Sequence, residues 1–250
     1  MIIVIAAREL RSLFLSPLAW TLLAMVQGLL AWIFLLLVDD YWQLQGRLVS
    51  LDNAPGVTDL VAAPLFQVAV WVLLLLVPLL TMRLFSEERR TRTLDLLLSA
   101  PVTMVEIVLG KYLGILVFLL ITVALIALMP LSLALGATLD IGKLLTGMLG
   151  LSLLTAAASA AGVYLSTLTT QPAVAAIATM GFLLALWMID AASTAQGTAD
   201  DLFGYVSLRR HYNAFLLGLF DSTDFVYYLL FSAVFLGLAI RRLDDLRLRD

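Results

Sequence analysis

Cysteine is missing from all 250 residues. Disulfides, thiolate metal sites and a cysteine nucleophile are therefore excluded. Histidine occurs once, at His211, which rules out a histidine-rich metal site. Charge is scarce too: Asp, Glu, Lys and Arg make up 13% of the chain, against about a quarter in soluble domains. The net charge is −3 and the pI is about 5.1, so the basic face of a nucleic-acid binder is lacking. No phosphate-binding loop of the form GxxxxGK followed by Ser or Thr is present. The chain is not expected to bind or hydrolyse ATP by itself.

Apolar residues are what the chain has in excess, at 62%, and the mean hydropathy is +1.04. A soluble globule of this length could not hide that much apolar side chain. A bilayer span needs about 20 mostly apolar residues. Six segments meet or approach that length: 18–38, 64–82, 112–135, 144–168, 172–189 and 225–240. None contains Asp, Glu, Lys, Arg or His. That speaks against ion-gradient coupling, which uses intramembrane ionisable groups, and against an intramembrane hydrolase. The class expected is an all-α polytopic membrane protein with one domain over 1–250.

Six spans put both termini on one side. Arg8, Arg11, Arg83, Arg89, Arg90, Arg92, Lys111, Arg241, Arg242, Arg247 and Arg249 fall on that face. Arg47, Lys143, Arg209 and Arg210 fall on the other. The richer face is expected to be cytoplasmic. Asn53, Pro55 and Gly56 mark a turn within an outer loop over 39–63. Residues 191–224 form a longer outer segment. It is half apolar, with Phe203, Tyr205, Tyr212, Phe215, Leu217, Leu219 and Phe220. It reads either as a re-entrant or interfacial helical hairpin or as a loop bearing interfacial aromatics. His211 beside Arg209 and Arg210 reads as a basic cluster at the outer headgroups in preference to a contact for an anionic cargo.

Within the spans, Gln27 is expected to make an interhelical hydrogen bond. Pro78 and Pro130 are expected to kink their helices. Gly110 and Gly114 stand four apart, as do Ala158 and Gly162 within a run of small residues. Such spacing marks close helix packing, within the chain or between copies.

The most informative stretch runs from Ser86 to Pro101, SEERRTRTLDLLLSAP. Ser86 is a candidate N-cap, with Glu87 and Glu88 in the first turn. Leu94, Leu97 and Leu98 share a face, and Pro101 ends the helix. Acidic then basic residues fit a protein partner better than an anionic lipid surface.

The run from Ser86 to Val102 resembles the signature of ABC-2 type exporter permeases, closest to the gliding-motility (GldF-like) branch. Glu106-Ile107-Val108-Leu109-Gly110-Lys111 and the stretch from His211 through Phe215, Asp221, Asp224 and Val226-Tyr227-Tyr228 match that branch also. Arg92 stands where the branch more often has glycine. The resemblance covers essentially the whole chain.

The resemblance implies a permease subunit of six spans in a bacterial inner membrane, acting as a homo- or heterodimer on separate ATPase subunits that hold ATP and Mg. It implies a coupling helix over 86–100 that contacts the ATPase through Glu87, Glu88, Arg89, Arg90, Thr93, Leu94 and Leu97. It implies an interfacial helix over 1–17, carrying Arg8, Glu9 and Arg11. It implies an outer hairpin over 191–224 that gates the exit, with Phe203, Tyr205, His211 and Phe215 as gate residues. Some relatives add a periplasmic subunit. Membrane lipid is the remaining partner. Two other readings stay open: a passive facilitator or channel, and a membrane scaffold that assembles other proteins without transport.

Overall fold

The computed structural model describes residues 1–48, 55–91, 102–195 and 205–247. Every element among them is helical. In chain order these are α1 (Ile2–Leu15), α2 (Pro17–Leu48), a π-helical turn (Thr58–Ala62) leading into α3 (Ala63–Thr81), and α4 (Ser86–Arg90). Then come α5 (Met104–Leu131), α6 (Ile141–Leu168), α7 (Pro172–Ala195), α8 (Leu208–Leu216) and α9 (Ser222–Arg247). Six helical stretches are long and apolar enough to cross a bilayer, built on α2, α3, α5, α6, α7 and α9. They coincide with the six apolar runs of the sequence.

The helices outrun those runs. At ~1.5 Å per residue, the 32 residues of α2 reach roughly 48 Å, against ~30 Å of hydrocarbon. Residues 39–48, expected as loop, are the last turns of α2. No proline interrupts them, and Gln43 Nε2 donates to Asp39 Oδ2 at 2.9 Å across one helical turn. α3 is likewise preceded by helical turns from Thr58. At most the stretch between Leu48 and Val57 is left for an outer loop. The sixth span, short as an apolar run, belongs to a helix of 26 residues.

α6 sits at the centre, and small residues decide what packs on it. A Cβ added to Gly162 would run into Thr81 Oγ1 of α3. At Gly147 it would meet the Phe66 ring at 2.8 Å, and at Gly150 the Phe215 Cβ at 2.6 Å. Ala157, Ala158, Ala160 and Ala161 are fully buried alongside. The small-residue face of the fourth span is thus filled from within the chain. Gln27 Nε2 donates to the Thr122 carbonyl at 3.2 Å, joining α2 to α5 as expected. Elsewhere α2 turns Met25, Trp32, Leu35 and Leu36 outward, as a lipid-facing helix does.

α1 lies lengthwise along the start of α5. Ile5 sits over Gly110 and Glu9 over Gly114, while the Phe14 and Phe118 rings meet edge-on at 5.5 Å. The contacts advance in the same sense on both helices. The four-residue glycine spacing in α5 is therefore the bed of α1. Ser16 has extended backbone and Pro17 opens α2, which ends one helix and starts the next.

A side chain at Gly114 would come within 2.7 Å of Glu9 Cβ and 3.0 Å of the Ala6 carbonyl oxygen. Gly114→Val should lower stability by about 2 kcal/mol and expose α1 to protease. A Cβ added to Gly28 would have nothing within 4 Å, so Gly28→Ala should leave both readouts unchanged. Detergent thermal melts and limited proteolysis check the pair.

Candidate functional site

Two polar clusters lie at opposite ends of the bundle. The first is built around Lys111, which the capped start of α5 brings into place. Thr103 accepts from the Glu106 N–H at 3.3 Å, and Glu106 accepts from the Thr103 N–H at 3.1 Å. This reciprocal capping box fixes where α5 begins. Two turns later, Lys111 is 5% exposed. Its Nζ lies 2.6 Å from Glu88 Oε1, 2.9 Å from the Leu84 carbonyl and 4.0 Å from Glu9 Oε2. The Phe85 ring lies 5.2 Å away and completes the shell. A buried ammonium is tolerated when paired and hydrogen-bonded in this way. One lysine thereby ties α1, the turn after α3, α4 and α5 together.

α4 is a short helix with acidic residues in its first turn and Arg89 and Arg90 at its end, in accord with the helix dipole. Phe85, not Ser86, is the N-cap. Ser86 lies inside, and its hydroxyl donates back to the Met82 carbonyl. The four charged residues expected to face a partner split into two pairs. Glu88 turns inward to Lys111. Arg89 Nη1 donates to the Thr167 carbonyl at the end of α6, at 2.6 Å. Arg90 is exposed and Glu87 half-buried. Thr93, Leu94 and Leu97 lie outside the described residues. Of the α1 set, Arg8 and Arg11 are exposed and Glu9 points toward Lys111.

The second cluster gathers around α8. Ser207 caps it by accepting from the Arg210 N–H at 3.4 Å. Its inner face carries His211, Tyr212 and Phe215, all buried. Tyr212 donates from its hydroxyl to the Phe66 carbonyl at 3.2 Å, and burial pushes its phenol pKa up. Tyr228 of α9 donates to the Leu208 carbonyl at 2.8 Å. α8 is therefore a helix docked on α6, α7 and α9, joined to α9 by a turn at Gly218 with φ of +81°. The loop reading of this segment does not hold for 208–216. Tyr205 is exposed, as are Leu217, Leu219 and Phe220. Phe203 lies outside the described residues.

His211 is not a headgroup-facing cation. It is 4% exposed. Its Nδ1 lies 2.5 Å from Asp224 Oδ1 and its Nε2 lies 2.9 Å from the Tyr205 carbonyl oxygen. An acceptor faces each ring nitrogen, so both contacts are hydrogen bonds only when the ring carries both protons. Tyr227 stacks on the ring at 3.9 Å. Nearby, Asp221 opens α9: its carboxyl is held below the usual carboxylate range by the Thr223 N–H, which donates to Oδ1 at 2.9 Å.

Sequence reasoning counts Lys111 only as one more positive charge and leaves His211 unpaired with Asp224. The Thr103-to-Glu106 spacing is a readable start signal for α5. The Lys111–Glu88 and His211–Asp224 contacts link residues 23 and 13 positions apart, and no local pattern announces them.

A double-mutant cycle on Lys111→Met and Glu88→Gln should return a coupling energy of about 2 kcal/mol in detergent unfolding. His211→Ala should remove the hydrogen-bond partner of Asp224 and the ring on which Tyr227 stacks and cost about 2 kcal/mol, read as a lowered Tm.

With this geometry in hand, a family model described as ABC-2 family transporter protein matches residues 45–208. The match covers Lys111, Glu88 and Leu84 but not Glu9, and stops at the start of α8. No curated protein matches the chain.

Proposed function

The chain belongs to the ABC-2 transporter family, and from that premise we propose that it is the membrane-spanning permease subunit of an ATP-driven exporter, of the GldF-like branch. In this reading it dimerises, sits on separate ATPase subunits that bind ATP and Mg, and moves a substrate out of the cytoplasm or the inner leaflet. The end of the bundle with α4 and Lys111 faces the cytoplasm. The excess of Lys and Arg on that face supports the orientation. A periplasmic subunit is a further partner in this scheme.

The observation that carries the proposal is the way α4 is held. Arg90 and Glu87 are left at the surface, while Glu88 and Arg89 bind α5 and α6. A force applied to the outer side of α4 then has two short routes into the bundle. One runs through Glu88 and Lys111 to α5, and through Lys111 toward Glu9 of α1. The other runs through Arg89 to the last turn of α6. ATP-driven closure of the ATPase pair shifts the permease only if α4 makes different contacts in the two states. Arg90 and Glu87 provide the contacts that change, and Glu88 and Arg89, bonded to α5 and α6, keep α4 fixed to the helices it must move. At the far end, α8 with His211 and Phe215 forms the outer hairpin that gates release, with Tyr205 at its rim.

A passive facilitator would have no use for a charged helix clamped between three others. A scaffold would hold an ATPase without coupled turnover.

Exchanging the surface charges tests this. Glu87→Lys with Arg90→Glu should weaken association with the ATPase subunit about tenfold and reduce substrate-coupled ATP hydrolysis, with the melting temperature unchanged. Co-purification and ATPase assays in proteoliposomes read both. Full coupling in that variant would remove the docking role.

A further inference from the structure

A cavity of about 490 Å³ opens beside the Lys111 cluster, between α1, the start of α2, the end of α3 and α4. Its volume is that of a ligand site. Its wall has two halves. Ile5, Leu13, Leu18, Leu79 and Ile107 make an aliphatic side. Arg8, Arg83, Lys111, Glu9, Glu87 and Glu88 make a charged side. Lys111 and Glu88 already neutralise each other. Arg8 and Arg83 make no ion pair among the described residues, and both are exposed at the mouth. A guanidinium with five donors and no ion pair among the described residues is suited to a phosphate.

The depth of the cavity follows from its neighbours. The apolar run of α3 ends at Thr81, and Arg83 follows within two residues. Just beyond the lining residues Leu18 and Ala19, Trp20 donates its indole N–H to the Phe14 carbonyl at 2.7 Å and is 55% exposed. An amphipathic ring at such a corner marks the boundary between hydrocarbon and headgroups. The charged side therefore lies at headgroup level and the aliphatic side at the level of the first acyl carbons.

We propose that this cavity binds one zwitterionic phospholipid of the adjacent leaflet, with a phosphoethanolamine head. Arg8 and Arg83 take the phosphate. Glu87, across the mouth, takes the ammonium. The acyl chain covers Leu13, Leu18 and Leu79. The charge balance selects the class: three cations face three carboxylates, so the lining matches a head of no net charge better than an anionic one. A soluble phosphate ester would leave the aliphatic wall wet. The bound lipid joins α1 to α4 at the point where Lys111 joins them from within. The site shares Glu87 with the ATPase contact proposed above, but lipid retention is read on the permease chain alone, so its failure is distinguishable from failure of the coupling role.

The test is native mass spectrometry of the full-length chain, purified in mild detergent and offered equal amounts of phosphatidylethanolamine and phosphatidylglycerol with the same acyl chains. The wild type should retain one phosphatidylethanolamine in preference. The double variant Arg8→Gln/Arg83→Gln should lose it by about tenfold in apparent affinity, and Arg8→Lys/Arg83→Lys by less. Glu87→Gln, which removes no cation, should turn the preference toward phosphatidylglycerol. Equal retention of the two lipids by the wild type would overturn the proposal, as would unchanged retention after loss of both arginines. Should the double glutamine variant not fold, Glu87→Gln decides alone: an unmoved preference sinks the site.

Discussion

A single ammonium group, Lys111 Nζ, organises one end of this molecule. Buried on α5, it needs partners, because an unpaired charge at that depth would cost several kcal/mol. It finds them on three other pieces of chain: Glu88 of α4, the Leu84 carbonyl and Glu9 of α1. α4 is a helix of five residues, too short to persist alone, and Arg89 ties it to α6 as well. α1 has no fully buried residue but lies along α5 through Ile5, Glu9 and Phe14. Lys111 adds to these contacts the one polar junction at which both short elements meet α5.

The opposite end meets the same requirement with aromatic groups. α8 is nine residues long, with His211, Tyr212 and Phe215 on its buried face. Tyr212 reaches a carbonyl of α3, His211 reaches Asp224 of α9, and Tyr228 of α9 reaches back to α8. The glycines of α6 make this possible, since Phe215 enters the space above Gly150. Both ends are therefore short helices bound by a few long-range polar contacts to long apolar ones. Such elements are the ones able to shift without unpacking the core. These are the two places to which the proposed function assigns movement.

The six long helices are legible in the sequence because lipid permits few alternatives: each span must be apolar and satisfy its own backbone. Their boundaries are less so. Residues 39–48 are polar but helical, since polarity marks the end of hydrocarbon and not the end of a helix. Composition singles out the stretch from Ser86, yet not the roles within it. Glu88 and Arg89 look as available as Glu87 and Arg90, and only the approach of α5 and α6 separates the two pairs. In the sequence His211 groups with its neighbours Arg209 and Arg210, while its partner lies 13 residues on, beyond the turn at Gly218.

What the amino-acid sequence determined alone is what depends on local composition: membrane class, the six apolar spans, the uneven distribution of positive charge, and the lack of cysteine or histidine clusters. Glycine spacing marked close packing without naming the partner. Tertiary structure decided which helix filled each gap, which charges turned inward and where a cavity of mixed lining was left. The physical reason is range. Hydrophobic transfer acts residue by residue along a helix, whereas pairing a buried charge requires groups far apart in the chain to meet within about 3 Å, and that is settled only when the helices pack.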